Sequence, residues 1–171
     1  VAAGDWQDAV YEQLRGAGVT QFAYVPDAGH RRLIERALDD KDAIAVALTT
    51  EEEGVALAAG ADLGGSRCVL LMQSSGAGNC PNMLSLIEHG RFPFLTLISM
   101  RGEYGEGNPW QYPMGQATRP VLEACGVICL SLEREEDVAA TMDAALTMVF
   151  QSEKSVAVLL SQRLLGAKKF A

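Results

Sequence analysis

Six short apolar runs, alternating with stretches of helical spacing, constrain this chain more than any other feature. They lie at residues 21–25, 43–48, 68–72, 94–98, 127–130 and 156–160. The third reads C-V-L-L-M and the fourth F-L-T-L-I, the near-continuous hydrophobic sequence of strands buried on both faces of a parallel sheet. Between the runs come helices. Asp5 caps the first, which carries Trp6, Ala9, Val10, Leu14 and Ala17 at helical spacing and closes at Gly16 and Gly18. Further helices are predicted over 31–38, 51–63, 83–89, 121–124 and 136–150, the last with Val138, Met142, Ala145, Leu146 and Val149 on one face. Strands alternating with helices across short connections imply right-handed crossovers. The expected fold is α/β and doubly wound, with about six parallel strands covered by helices on both faces.

A length of 171 residues suits a single domain spanning 1–171, with core enough to need neither disulfides nor a structural metal. The net charge of −8 argues against nucleic acid or an anionic membrane as partner, and an anionic ligand would need a local cationic or N–H pocket. Cys68, Cys80, Cys125 and Cys129 sit among apolar neighbours without a C-x-x-C pair, as buried free thiols in a reducing compartment do. Two histidines, His30 and His89, provide no zinc-like spacing, and no metal site is expected on this chain. No stretch approaches a membrane span and the N-terminus shows no signal-like pattern, so the expected compartment is the cytoplasm. The closing K-K-F-A is expected to be a loose tail.

Three stretches carry candidate chemistry. The first is T-T-E-E-E-G-V-A-L-A-A-G-A-D-L, residues 49–63, in which Glu51, Glu52 and Glu53 open a helix of small apolar residues. Acids are favoured there by unpaired N–H groups and the positive end of the macrodipole. They also follow a strand directly, and the carboxyl ends of parallel strands border the ligand crevice of α/β sheets. The second is Q-S-S-G-A-G-N-C-P-N, a small-residue turn after the third strand. The third is R-G-E-Y-G-E-G-N-P-W-Q-Y-P-M-G-Q, within a loop over 100–118 too long for a simple connection; it is either a mobile flap or an ordered cover. In the earlier loop V-P-D-A-G-H, Asp27 is a turn former or a proton-transfer group, and His30 a helix-start residue or a proton relay.

Together, V-P-D, E-E-E-G-V-A-L-A-A-G, S-S-G-A-G-N-C-P-N and the aromatic loop resemble the pyrimidine-binding domain of thiamine diphosphate enzymes. Within that group they are most similar to the α subunits of sulfopyruvate decarboxylases, and phosphonopyruvate decarboxylases look similar through fewer segments. The resemblance runs from Asp5 to about Gly166. It implies a catalytic glutamate nine residues before Gly60, hence Glu51, with Glu52 as the other candidate. Such a carboxyl group hydrogen-bonds the aminopyrimidine N1′ and favours the imino tautomer that activates the cofactor. The resemblance further implies cofactor contacts at Pro26, at Ser75, Gly76 and Ala77, at Asn79 or Asn82, and at Arg101, while Asp27 and His30 are candidates for proton transfer.

Enzymes of this kind hold the diphosphate through Mg²⁺ bound at a G-D-G motif, and no G-D-G occurs here. The implied cofactor is therefore shared: a partner β subunit supplies the diphosphate half and the Mg²⁺ ligands, and the α chains associate with one another along the helix of residues 54–61. The implied substrate is a small anionic 2-oxoacid such as 3-sulfopyruvate, met by Arg101 and the glycine N–H groups of the long loop. Phosphonopyruvate decarboxylation or carboligation is the neighbouring reading. A flavodoxin-like domain binding phosphate at the S-S-G-A-G-N turn is the alternative from another class. A serine hydrolase lacks its G-x-S-x-G elbow.

Overall fold

The computed structural model describes residues 5–166, and the K-K-F-A segment lies outside the described residues. Six strands form one parallel sheet in the order β2-β1-β3-β4-β6-β5. They are β1 Val19–Tyr24, β2 Ile44–Ala47, β3 Arg67–Gln73, β4 Phe94–Ser99, β5 Ile128–Leu132 and β6 Ser155–Leu160. Helices α1 Asp5–Gly16, α2 Arg31–Asp39 and α7 Val138–Phe150 cover one face. On the other lie α3 Glu51–Leu63, α5 Pro81–Gly90 and α6 Tyr112–Ala124. Two one-turn helices, α4 Ser74–Ala77 and α8 Gln162–Leu165, follow β3 and β6 directly.

Strand alternation divides the core between the layers. Phe22, Val69, Leu71, Leu95, Leu97 and Val158 point into the first, and Ala23, Leu70, Met72, Ile98, Ala157 and Leu159 into the second. All six residues of β4 are buried, as its unbroken apolar sequence requires of a central strand. Thr96, wholly buried there, donates its hydroxyl to the Leu70 carbonyl at 2.9 Å, so its polar atom does not go unpaired. By contrast β2 is a partly exposed edge, with Ile44 at 58% exposure.

The chain leaves β1 towards β2 on one side and leaves β3 towards β4 on the other. This reversal opens a crevice at the carboxyl ends of β1 and β3, where open α/β sheets bind ligands.

The expected loop over 100–118 is shorter than the sequence suggests, because α6 begins at Tyr112 and absorbs the short helix expected at 121–124. Pro113 and Gly115 both lie within this helix. Pro113 occupies the first turn, where its missing N–H costs nothing. Gly115 packs on the loop itself, since an added Cβ would lie 2.2 Å from the Arg101 carbonyl oxygen. Pro120 stays inside the helix despite the hydrogen bond it removes. The turn expected at S-S-G-A is one turn of helix, and β5 starts and ends later than the apolar run at 127–130 suggests.

Candidate active site

Of the three acids that open α3, each has a different fate. Glu53 folds back to cap its own helix, accepting from the N–H of Thr49 at 2.8 Å and of Thr50 at 3.4 Å. Glu52 is exposed to solvent. Glu51 turns inward and is 9% exposed, with Oε2 accepting from the Asn79 amide at 2.8 Å. Its carboxyl group lies flat against Gly76 of α4. A Cβ on that glycine would stand 2.1 Å from Oε1 and 2.2 Å from the carboxyl carbon, so any side chain there would displace the Glu51 carboxyl group. Among the described residues Oε1 makes no hydrogen bond, which leaves it available to an incoming group.

The S-S-G-A-G-N stretch therefore works by closeness and by one donor. Ala77 is wholly buried and packs into the second core layer, so its contribution is to seat α4. Ser75 donates its hydroxyl to Gln73 Oε1 at 3.0 Å. Asn79 does not cap α5, whose cap residue Cys80 makes no side-chain capping bond; its amide goes to Glu51 instead. Asn82 is exposed on α5 and is not brought to this cluster.

On the other side of the crevice, Pro26 is exposed and lines an open hollow of about 340 Å³ with Tyr24, Ala28 and Arg31. Asp27 forms the turn into a short 3-10 helix, accepting from the Gly29 N–H at 3.0 Å, and receives two further bonds from Gln73 and Ser99. His30 is completely buried. Its Nε2 lies 3.1 Å from the Met72 carbonyl, which can only accept, so Nε2 carries the proton and Nδ1 is left without a partner. Burial pulls its pKa below the usual histidine range, with the Asp27 charge and the Met72 and Leu97 carbonyls opposing that pull. The ring is a neutral part of the wall beneath the crevice.

Arg101 does not reach into the crevice as a free cation. Its Nε and terminal nitrogen donate to the two oxygens of Glu106 at 2.5 and 2.7 Å, a bidentate fork with the Glu106 side chain at 0% exposure. Those bonds, with donors from Asn108 N–H and Gln162 Nε2 at 2.9 Å each, hold the Glu106 carboxyl down at about 2. Gln162 also accepts from the N–H groups of Glu103 and Tyr104. The aromatic loop is thus an ordered cover built around a buried ion pair. Sequence reasoning missed Glu106 and Gln162; a second acid five residues beyond Arg101 was the available signal, and nothing local marks Gln162. Gln73 and Ser99, the last residues of β3 and β4, were missed as well.

The donor set suits the pyrimidine half of a thiamine cofactor: a shielded carboxyl group with an open oxygen, resting on a glycine floor. It does not suit a diphosphate. Arg101 is already neutralised by Glu106, and among the described residues no three metal-binding side chains come together.

No family model matches the chain. The α subunit of sulfopyruvate decarboxylase from Methanococcus maripaludis is 36% identical over 154 residues, covering 90% of this chain and 92% of that protein. The same subunit from Methanothermobacter thermautotrophicus is 33% identical over 157 residues, covering 91% and 95%. A phosphonopyruvate decarboxylase from Streptomyces viridochromogenes is 39% identical, but over 66% of this chain and 29% of that enzyme. Among solved structures, a 2-oxoglutarate:ferredoxin oxidoreductase from Magnetococcus marinus superposes with a TM-score of 0.75 over 94% of this chain and 29% of its own, at 19% identity, a likeness of fold. Matched along nearly its whole length by proteins of nearly the same extent, the chain belongs to the family of sulfopyruvate decarboxylase α subunits.

Proposed function

We propose that this chain is the pyrimidine-binding half of a thiamine diphosphate-dependent decarboxylase that converts 3-sulfopyruvate to sulfoacetaldehyde and carbon dioxide. The observation that carries the reading is Glu51, held against Gly76 and Asn79 with Oε1 open. Thiamine diphosphate, when bound, supplies the carbon chemistry of decarboxylation. Glu51 holds the proton at Oε1 that is shared with the aminopyrimidine nitrogen, and the Gly76 floor excludes water from that contact. Asp27, on the opposite lip, serves proton transfer to the reacting oxoacid. Recognition of the sulfonate falls to backbone N–H groups and to the partner, because Arg101 is neutralised by Glu106.

A β chain completes the site with the diphosphate cradle and Mg²⁺. The exposed face of α3, with Glu52, Ala56, Gly60 and Leu63, is the surface through which α chains pair. The sulfonate is favoured over a phosphonate because the phosphonopyruvate relatives match a shorter part of the chain.

Titration of thiamine diphosphate and Mg²⁺ into this chain, alone and with its β partner, tests the shared site, and aldehyde release from sulfopyruvate and phosphonopyruvate tests the substrate. Glu51→Gln should abolish turnover in the complex and leave thermal unfolding of the α chain within a few degrees of the parent. Tight cofactor binding by the lone chain, or a fully active Glu51→Gln complex, would defeat the reading.

A further inference from the structure

Asp27 receives more hydrogen bonds than its turn requires. The Gly29 N–H, at 3.0 Å from Oδ2, accounts for the turn. The other two donors come from strand ends. Gln73 Nε2, on the last residue of β3, reaches Oδ1 at 2.9 Å, and Ser99 Oγ, on the last residue of β4, reaches Oδ2 at 2.5 Å. Gln73 and Ser99 are register partners across these neighbouring strands, so one carboxylate from the β1 loop lies across two adjacent strand ends.

The arrangement is oriented at both ends. Ser75 Oγ donates to Gln73 Oε1 at 3.0 Å, and this fixes the amide with its nitrogen towards Asp27. Gly29 closes the other side: a Cβ there would stand 2.6 Å from Ser99 Cβ and 2.8 Å from Asp27 Oδ2. A polar chain therefore runs Ser75, Gln73, Asp27, Ser99, starting on α4 next to the glycine that Glu51 touches. Each carboxylate oxygen has about two acceptor positions. Both on Oδ2 are taken and one on Oδ1 is taken, which leaves a single position on Oδ1.

We propose that Gln73 and Ser99 are positioning residues for the reaction, clamping Asp27 so that Oδ1 alone presents an open acceptor site to the substrate. The inference rests on the proposed decarboxylase reading, in which Asp27 handles a proton, and it assigns to β3 and β4 a task that neither a turn nor a strand needs.

The test uses the α/β complex with its cofactor. Ser99→Ala and Gln73→Met should each lower kcat about 10- to 100-fold, the range for a misplaced reacting group, with KM for 3-sulfopyruvate nearly unchanged. Ser99→Cys, which keeps a weak donor, should recover part of the loss. In an Asp27→Asn background the same substitutions should have no further effect on kcat, because residues acting through one partner are not additive. In the α chain alone, with ¹³C-labelled aspartate, the carboxyl signal that disappears in Asp27→Asn should move in Ser99→Ala and Gln73→Met. Losses that multiply in the Asp27→Asn background, a full kcat in Asp27→Asn, or a carboxyl signal that stays in place would each overturn the clamp. A wild-type complex inert towards sulfopyruvate would instead overturn the proposed function, and the carboxyl signal would still decide the clamp.

Discussion

Gly76 shows how one missing side chain makes a site. Its Cα is where the Glu51 carboxyl group rests, so Gly76→Ala sets a methyl group 2.1 Å from Oε1 and forces one of the two aside. Overpacking of this kind costs about 1–3 kcal/mol; the expected outcome is a lower unfolding temperature together with loss of cofactor binding in the complex. His30 makes a different prediction. Burial lowers its folded-state pKa below the ordinary 6.5, so below that pH the unfolded chain binds more protons than the folded one. Stability should therefore fall as pH drops through 6.5, and His30→Gln should flatten that part of the curve measured by denaturant unfolding. Glu106 titrates later. With its carboxyl depressed from 4.5 to about 2, its contribution is complete above 4.5 and is lost as pH falls through about 2. Glu106→Gln at neutral pH strands the Arg101 charge, which is 12% exposed, at a cost of about 3 kcal/mol. Limited proteolysis should then cut the loop between Gly102 and Asn108.

Helix α3 has two glycines that look alike in sequence and differ in surroundings. At Gly54 a Cβ would lie 2.3 Å from a Leu70 methyl group, whereas at Gly60 nothing lies within 4 Å. Gly54→Ala should destabilise the lone chain by about 1–3 kcal/mol, because helix and β3 can come no closer. Gly60→Ala should stabilise it by about 0.5–1 kcal/mol through helix propensity. Thermal unfolding of both variants measures the difference. Helix α6 makes a related point. Its first turn carries a proline, and its third residue beyond that start is the glycine that lets the helix sit on the Arg101–Gly102 backbone. Both residues punctuate the sequence and neither ends the helix.

Seen whole, the molecule gathers its unusual side chains at one edge. Glu51 comes from the segment after β2, Gly76 and Asn79 from that after β3, Asp27 from that after β1, and the Arg101–Glu106 pair from that after β4. In the proposed function that edge is half of a site: it offers the Glu51 carboxyl group to an aromatic nitrogen, while Arg101 is already neutralised by Glu106. Mixing the chain with its β partner should therefore raise cofactor affinity by orders of magnitude, and a β chain without its metal motif should cancel the gain. Isothermal titration of the separate and combined chains reads both.

The order of strands and helices, the burial of the central strands and the identity of the loops that border the crevice follow from local pattern, because apolar runs and helical periodicity report burial residue by residue. The resemblance of four short stretches was enough to place the chain in its family. Local pattern could not say which of Glu51, Glu52 and Glu53 turns inward, since all three are equally suited to a helix start; that depends on α4 arriving 25 residues later with a glycine at the point of contact. Nor could it show that Arg101 is neutralised, that His30 is dry, or that Gln73 and Ser99 converge on Asp27. Those facts arise where segments distant in sequence meet at the end of the sheet, and hydrogen bonding across such distances leaves no period for a sequence to display.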